Sequence, residues 1–172
     1  MTEILSKGTQ DILEVCRDIR FMCAELHHYY AELFVEDRAA LLFWKRTALG
    51  EENHAKEFDL IVKLRRQHVI KSSRSDLLLD AKIALIYLQS IIERTKQNLP
   101  SFAEALKTSV NIEEKLTRFH LQNIVTFSDP CFPKQFTRLI QAEQERKESF
   151  KKAYDQLLTH QPDNGFQCDL TF

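Results

Sequence analysis

The sequence predicts a single all-α domain spanning residues 1–172, built as a four-helix bundle of two antiparallel hairpins with an extra crossover helix between them. Three observations predict this fold. The length of 172 residues suits one domain, and three glycines and four prolines are too few turn residues for a protein of many strands. Apolar residues also recur at helical spacing in five segments. The bundle is expected to cover about residues 10–158.

The first hairpin is predicted to pair two long helices, A and B. Thr9 is a plausible N-cap for helix A over about residues 10–35, and Asp37 for helix B, which would end before the polar segment 71–74. Both helices carry one apolar stripe. In helix A the stripe includes Ile12, Val15, Cys16, Ile19, Cys23, Leu26 and Tyr30, and in helix B it includes Leu41, Trp44, Ala48, Glu51, Ala55 and Phe58.

Helix C, over about residues 76–98, is apolar on more than one side. This pattern predicts burial on two faces, so that helix C would cover the bundle and also contact a second copy of the chain. We therefore expect a homodimer.

The second hairpin is predicted to pair helices D and E. Ser101 and Glu104 match a capping box at the start of helix D. Helix E would span about residues 133–159, followed by an irregular tail over 160–172. The predicted stripe of helix D contains Leu106, Val110, Glu113, Leu116, His120 and Ile124.

Composition argues against several classes of partner and location. The 24 basic and 25 acidic residues are mixed along the chain, which disfavours binding to nucleic acid or to an anionic membrane. No apolar run approaches the roughly 20 residues of a membrane span, and the N-terminus does not match a secretory signal, so a cytoplasmic protein is expected. The four cysteines form no Cys-x-x-Cys pair.

Two stretches of the chain repeat each other with one difference. Trp44 precedes Glu51 by seven residues, and Phe136 precedes Glu143 by the same interval. His54 follows the first glutamate at i+3, a spacing that points a carboxylate and an imidazole to the same side of a helix. At the equivalent position after Glu143 the chain has Arg146.

Three glutamates lie on stripes that are otherwise apolar: Glu51, Glu113 and Glu143. A carboxylate that faces a dry core costs several kcal/mol unless a cation or hydrogen bonds compensate it. The sequence therefore predicts a compensating group inside the bundle, either a metal ion or a basic side chain.

With these features the chain resembles the ferritin-like superfamily, and in particular its rubrerythrin-type branch. The resemblance covers about residues 10–158 and implies a bundle that holds two irons for reaction with peroxide or oxygen. It is carried by Tyr29-Tyr30, Trp44, Glu51 and His54 in the first hairpin, and by residues 101–106, Glu113, Phe119-His120, Asp129-Pro130 and Glu143 in the second.

The resemblance implies metal ligands at Glu51, His54, Glu113 and Glu143, which are four of the six that the family uses. Cys23 stands where the family places the glutamate of helix A, and the nearby Glu25 is expected to point away. Cys23 is either a core residue or, as a thiolate, a further ligand to iron or zinc.

Arg146 stands at the histidine position of helix E. Because a guanidinium always carries its charge and only donates hydrogen bonds, Arg146 is expected to fill or repel one metal position and to hold the carboxylates itself. Tyr30 and His120 fall about 10 Å further along the axis and are expected to be packing or outer-shell residues. His27 and His28 flank the inward stripe and are expected to be surface or capping groups.

Two functions remain open at this point. One is a rubrerythrin-like metal-binding protein, an iron-dependent oxidoreductase with a reduced site of one or two irons or another divalent metal such as zinc. It would need a separate electron-transfer protein, because the chain lacks the Cys-x-x-Cys pairs of a rubredoxin domain. The other is a metal-free helical scaffold or interaction protein in which Arg146 replaces the metal.

Overall fold

The computed structural model describes residues 11–65 and 70–128 and, beyond them, residues 134, 141, 144, 145, 148–153, 155 and 156. Most of this part of the chain is helical. Its elements are α1 (Ile12–Leu33), α2 (Arg38–Arg65), β1 (Ile70–Ser73), α3 (Leu78–Gln97), α4 (Phe102–Leu116), α5 (Leu121–Ile124) and β2 (Val125–Phe127), with 3-10 turns at Ser75–Leu77 and Thr117–Phe119. Residues 148–153 are also helical and are called the 148–153 segment below.

Helices α1 and α2 form the predicted antiparallel hairpin. Asp37 caps α2, since its Oδ1 accepts hydrogen bonds from the backbone N–H groups of Ala39 at 2.9 Å and Ala40 at 3.1 Å. This prediction is confirmed. At the far end of the hairpin an ion pair joins Arg17 to Asp59 at 3.2 Å. The predicted N-cap of α1, Thr9, lies outside the described residues, and the cap observed is Asp11.

Helix α3 packs against α1 through one face, on which Leu88, Ile91 and Ile92 are buried. The other apolar face of α3, which is predicted to contact a second copy of the chain, is exposed on the single chain. Leu79, Ile83 and Ile86 remain 69%, 56% and 65% accessible there. The homodimer stays a prediction.

Helix α4 begins at the predicted capping box. The backbone N–H of Ser101 donates to the Glu104 carboxylate at 2.8 Å, and the Ser101 hydroxyl accepts from the Glu104 backbone N–H at 3.3 Å. The predicted extension of this helix past His120 to Ile124 is wrong, because α4 ends at Leu116.

The 3-10 turn Thr117–Phe119 and the short helix α5 take the place of the predicted end of helix D, and a small antiparallel sheet follows them. The β-branched residues Val125 and Thr126 belong to β2, which pairs with β1 in the register Ile70↔Phe127, Ser72↔Thr126 and Ser73↔Val125. β-Branched side chains favour extended backbone over helix, in agreement with a strand at this point. The polar segment 71–74 is therefore partly a strand rather than only a break.

An aromatic cluster joins α2, α4 and the 148–153 segment. Trp44, predicted as a core residue, is fully buried. Its ring lies 5.0 Å from that of Phe43, 5.9 Å from Phe102 and 6.1 Å from Phe150, measured between centroids. Such tilted and edge-on contacts add to the apolar burial that holds these elements together. Phe136, the repeat partner of Trp44, lies outside the described residues.

The predicted helix E over 133–159 falls mostly outside the described residues, and the tail over 160–172 falls wholly outside them. Within the part that the structure describes, no helix is both long and apolar enough to cross a membrane.

The Ser101 cap gives a direct test of how α4 begins. Ser101→Ala should lower the free energy of unfolding by about 1 kcal/mol, because it removes the acceptor for an end-of-helix N–H group. Ser90→Ala, on the exposed face of α3, is the matched control and should change it by less than about 0.5 kcal/mol. Urea denaturation measures both, and equal effects of the two substitutions would show that the capping box does not stabilise α4.

Candidate functional site

The candidate site is built on a buried seam of α1. Its inward residues follow one another at intervals of four and three, which is the spacing of one helix face. All are at most 2% accessible. They are Cys16, Arg20, Cys23, His27 and Tyr30.

Arg20 lies at the centre of this seam and contacts a glutamate on each of two other helices. Its Nη1 donates a hydrogen bond to Oε2 of Glu51, on α2, at 3.2 Å. The same nitrogen lies 3.6 Å from Oε1 of Glu113, on α4. The side chains of Arg20, Glu51 and Glu113 are 1%, 0% and 4% accessible, so both ion pairs lie inside the protein.

This arrangement supplies the compensation that the two inward glutamates require. An arginine keeps its charge in a protein interior and offers five N–H donors, which suit it to a position between two carboxylates. Removing one member of a buried ion pair costs about 3–5 kcal/mol, because the remaining charge is left without compensation. Arg20 therefore connects α1 to both α2 and α4 in one relative position of the three helices.

His54 follows Glu51 at i+3 on α2 and is also buried, at 3% accessibility. The structure thus turns both members of the Glu-x-x-His pair into the core, as the spacing predicted. Their role as metal ligands stays a prediction.

Cys23 is buried at 1% accessibility within the apolar core, and its role as a ligand is untested. Cys16, one seam position before Arg20, is equally buried. Burial raises the pKa of the Cys16 thiol to about 12, although the positive charge of Arg20 acts in the opposite direction. Glu25 points outward, as expected, and its carboxylate accepts a hydrogen bond from Nζ of Lys96 at 3.0 Å.

His27 corrects the prediction that it lies at the surface. It is 2% accessible, its Nε2 lies 3.2 Å from Oγ of Ser109, and its ring stacks on that of Trp44 at 5.5 Å. The sequence was misleading because the adjacent pair His27 and His28 was placed beside the apolar stripe. Position 27 follows Cys23 by four residues and therefore lies on the same helix face as Cys23. His28 is exposed as predicted and contacts Glu52 at 2.8 Å.

Tyr30 and His120 are both buried, but in different surroundings. Burial raises the pKa of Tyr30, and hydrogen bonding by the Thr95 and Thr108 side chains partly opposes this shift. His120 is 7% accessible and follows the 3-10 turn after α4 in extended backbone. It therefore does not lie on the helical stripe of Glu113, so its predicted place in helix D is wrong.

Glu143 and Arg146 lie outside the described residues, so their predicted roles are untested. Among the residues that are described, no three His, Cys, Asp or Glu side chains form a group that could hold a metal ion. Arg20 adds a fixed positive charge beside Glu51 and Glu113. The two carboxylates therefore face a guanidinium in this structure, and their role as metal ligands stays a prediction.

Arg20 is the residue that sequence reasoning missed. The expected basic side chain was Arg146, because it follows Glu143 at the position where His54 follows Glu51. The signal was present in α1, where Arg20 lies at i+4 from Cys16 and at i−3 from Cys23. An arginine at a core position of an amphipathic helix needs a buried acidic partner.

Comparison with known proteins adds no relative: no family model, no curated protein and no solved structure matches this chain.

The buried ion pairs predict a large effect at position 20. Arg20→Met should lower the free energy of unfolding by about 3–5 kcal/mol, because two carboxylates lose their shared cation. Arg17→Met is the matched control on the same helix. Its pairs with Asp18 and Asp59 are partly exposed, so the loss should be at most about 1 kcal/mol.

Urea denaturation followed by circular dichroism measures both variants. Arg20→Lys, which keeps a charge but loses the forked geometry, should fall between the wild type and Arg20→Met. Equal losses for Arg20→Met and Arg17→Met would contradict the buried position of Arg20.

Proposed function

We propose that this protein is a metal-free helical scaffold that acts by binding a partner, and that Arg20 carries the positive charge that metal ions carry in rubrerythrin-type proteins. One observation supports the proposal above all others. The Nη1 of Arg20 lies 3.2 Å from a Glu51 oxygen and 3.6 Å from a Glu113 oxygen, inside the core.

The chemistry of arginine supports this assignment over metal binding at the same carboxylates. A guanidinium has no lone pair to offer a metal, and its charge would repel a second cation held by Glu51 and Glu113. The carboxylates are already engaged, so their burial needs no ion. We infer that the interior of this bundle serves stability rather than catalysis.

The ferritin-like architecture belongs to the same proposal. It is supported by the α1–α2 hairpin with Trp44, Glu51 and His54 turned inward, by α3 in the crossover position, and by Glu113 turned inward on α4. In this proposal helix E would bring Glu143 and Arg146 to the same interior, where a second arginine would reinforce the first.

The competing function is the rubrerythrin-like oxidoreductase with a reduced site, in which Glu51, His54, Glu113 and Glu143, with or without Cys23, would hold iron or zinc. The observation that favours this competing function is the burial of Glu51, His54 and Glu113. That function requires Arg20 to leave the carboxylates, a movement that would expose or strand a buried charge.

Metal content separates the two functions. The protein should be expressed without a tag in medium supplemented with iron and zinc, purified without chelators, and analysed for metals. We expect well under one metal ion per chain, because Arg20 already neutralises the glutamates. One or two tightly held irons per chain would contradict the proposal and favour the oxidoreductase.

The variant Arg20→Ala sharpens the same test. It leaves Glu51, His54 and Glu113 without the guanidinium, so Mn²⁺ or Co²⁺ should raise its melting temperature, as any ligand that binds the folded state does. The wild type and the surface control Arg17→Ala should show no such rise. A wild-type shift equal to that of Arg20→Ala would show that the arginine does not occupy the cation position.

A further inference from the structure

A groove runs between α3 and α4 on the outside of the bundle. It consists of two adjoining cavities of about 360 and 350 Å³ that share Tyr87. Together they follow α3 from Asp80 to Asn98, which corresponds to about 27 Å along the helix axis. This length is that of a helix of four to five turns.

The first cavity is apolar. Its lining consists mainly of Ile83, Ala84, Leu88, Ile112, Leu116 and Phe119. Ile83 also belongs to the exposed stripe of α3, where it follows Leu79 by four residues and precedes Ile86 by three. That spacing is the seam by which one helix packs on another, so the cavity and the stripe form one continuous apolar surface.

Basic side chains outnumber acidic ones in the groove, with Arg94, Lys115 and Arg118 against Asp80 and Glu104. Its two acidic residues are engaged, Asp80 with Arg118 at 3.0 Å and Glu104 with the backbone N–H of Ser101 at 2.8 Å. Lys115 lies over the Tyr87 ring at 4.1 Å. Neither Lys115 nor Arg94, which lines the second cavity, has a carboxylate partner in the described part of the chain.

We propose that the α3–α4 groove binds an amphipathic helix of a partner protein, with its apolar seam on Ile83 and the neighbouring stripe and with carboxylates facing Lys115 and Arg94. This is the helix-in-groove mode of recognition, in which apolar anchors supply affinity and flanking charges supply orientation. The inference rests on the proposed function in one respect, that the protein acts by binding a partner.

An acidic helix fits this groove better than a second copy of the chain does. In a two-fold dimer the same patch meets itself, so Arg94 and Lys115 of both copies would gather in one interface. In each copy Asp80 is already paired with Arg118, which leaves Glu104 alone against Arg94 and Lys115. A partner that brings its own carboxylates avoids this repulsion.

The test uses the full chain and two synthetic probe peptides of about 18 residues, the length of helix that spans the groove. Both carry leucine at seam positions, one with glutamate and the other with lysine on the flanks, and each bears a fluorescent label. Fluorescence anisotropy should show the acidic peptide binding at least about tenfold more tightly than the basic one.

Variants locate the binding. Ile83→Asp should weaken the acidic peptide at least about tenfold, because it places a charge at the centre of the apolar surface. Leu49→Asp is the matched control, since Leu49 is 53% accessible on α2, and should change the affinity less than about twofold. Lys115→Glu combined with Arg94→Glu should reverse the preference in favour of the basic peptide.

The proposal would be overturned by no binding of the acidic peptide, by equal binding of both peptides, or by equal weakening of binding in Leu49→Asp and Ile83→Asp. A dimer of the free protein in light scattering that Ile83→Asp dissociates would identify a second copy as the occupant, which also overturns it. Failure here differs from failure of the metal-free function, which is read from the metal content of the same preparation.

Discussion

The described core depends on one buried arginine. Arg20 faces two carboxylates from two different helices. If α1 shifted by one residue, position 20 would turn by about 100° and leave its place between Glu51 and Glu113. Apolar contacts alone allow helices to slide past each other by small amounts. The Arg20 side chain is only 1% accessible, so any such sliding would separate its charge from the two carboxylates. The ion pairs therefore fix the register of α1 against α2 and α4, and the aromatic rings around Trp44 and Phe102 pack in the setting so defined.

The same arginine links the interior to the proposed function. Under the proposed function, the guanidinium that Glu51 and Glu113 share takes the place of a metal ion, and the core serves stability. The surface available to a partner lies on the outside of the described part of the chain, where Leu79, Ile83 and Ile86 are exposed beside the α3–α4 groove. Binding by this surface requires nothing from the core except that it hold α3 and α4 in place.

The sequence predicted much of the fold because its signals were local. Asp37 and the Ser101–Glu104 box begin helices where their side chains predicted, and the burial of Glu51 and Glu113 followed from the apolar stripes around them. The role of Arg20 was not predicted because its partners Glu51 and Glu113 are 31 and 93 positions away in the chain, and only the fold brings them together. The end of α4 was mispredicted because the apolar spacing continues through the 3-10 turn Thr117–Phe119 and the short helix α5, where the single long helix has already ended.

The most direct measurement is a double-mutant cycle on the free energy of unfolding, with Arg20→Met, Glu51→Gln and the two combined. If Arg20 and Glu51 form a buried ion pair, the double variant should lose less stability than the two single variants together, by about 2–3 kcal/mol. Strict additivity within about 0.5 kcal/mol would contradict the account, because independent residues show no coupling. Arg17 and Asp59, whose contact is partly exposed, supply the reference pair with weak coupling expected.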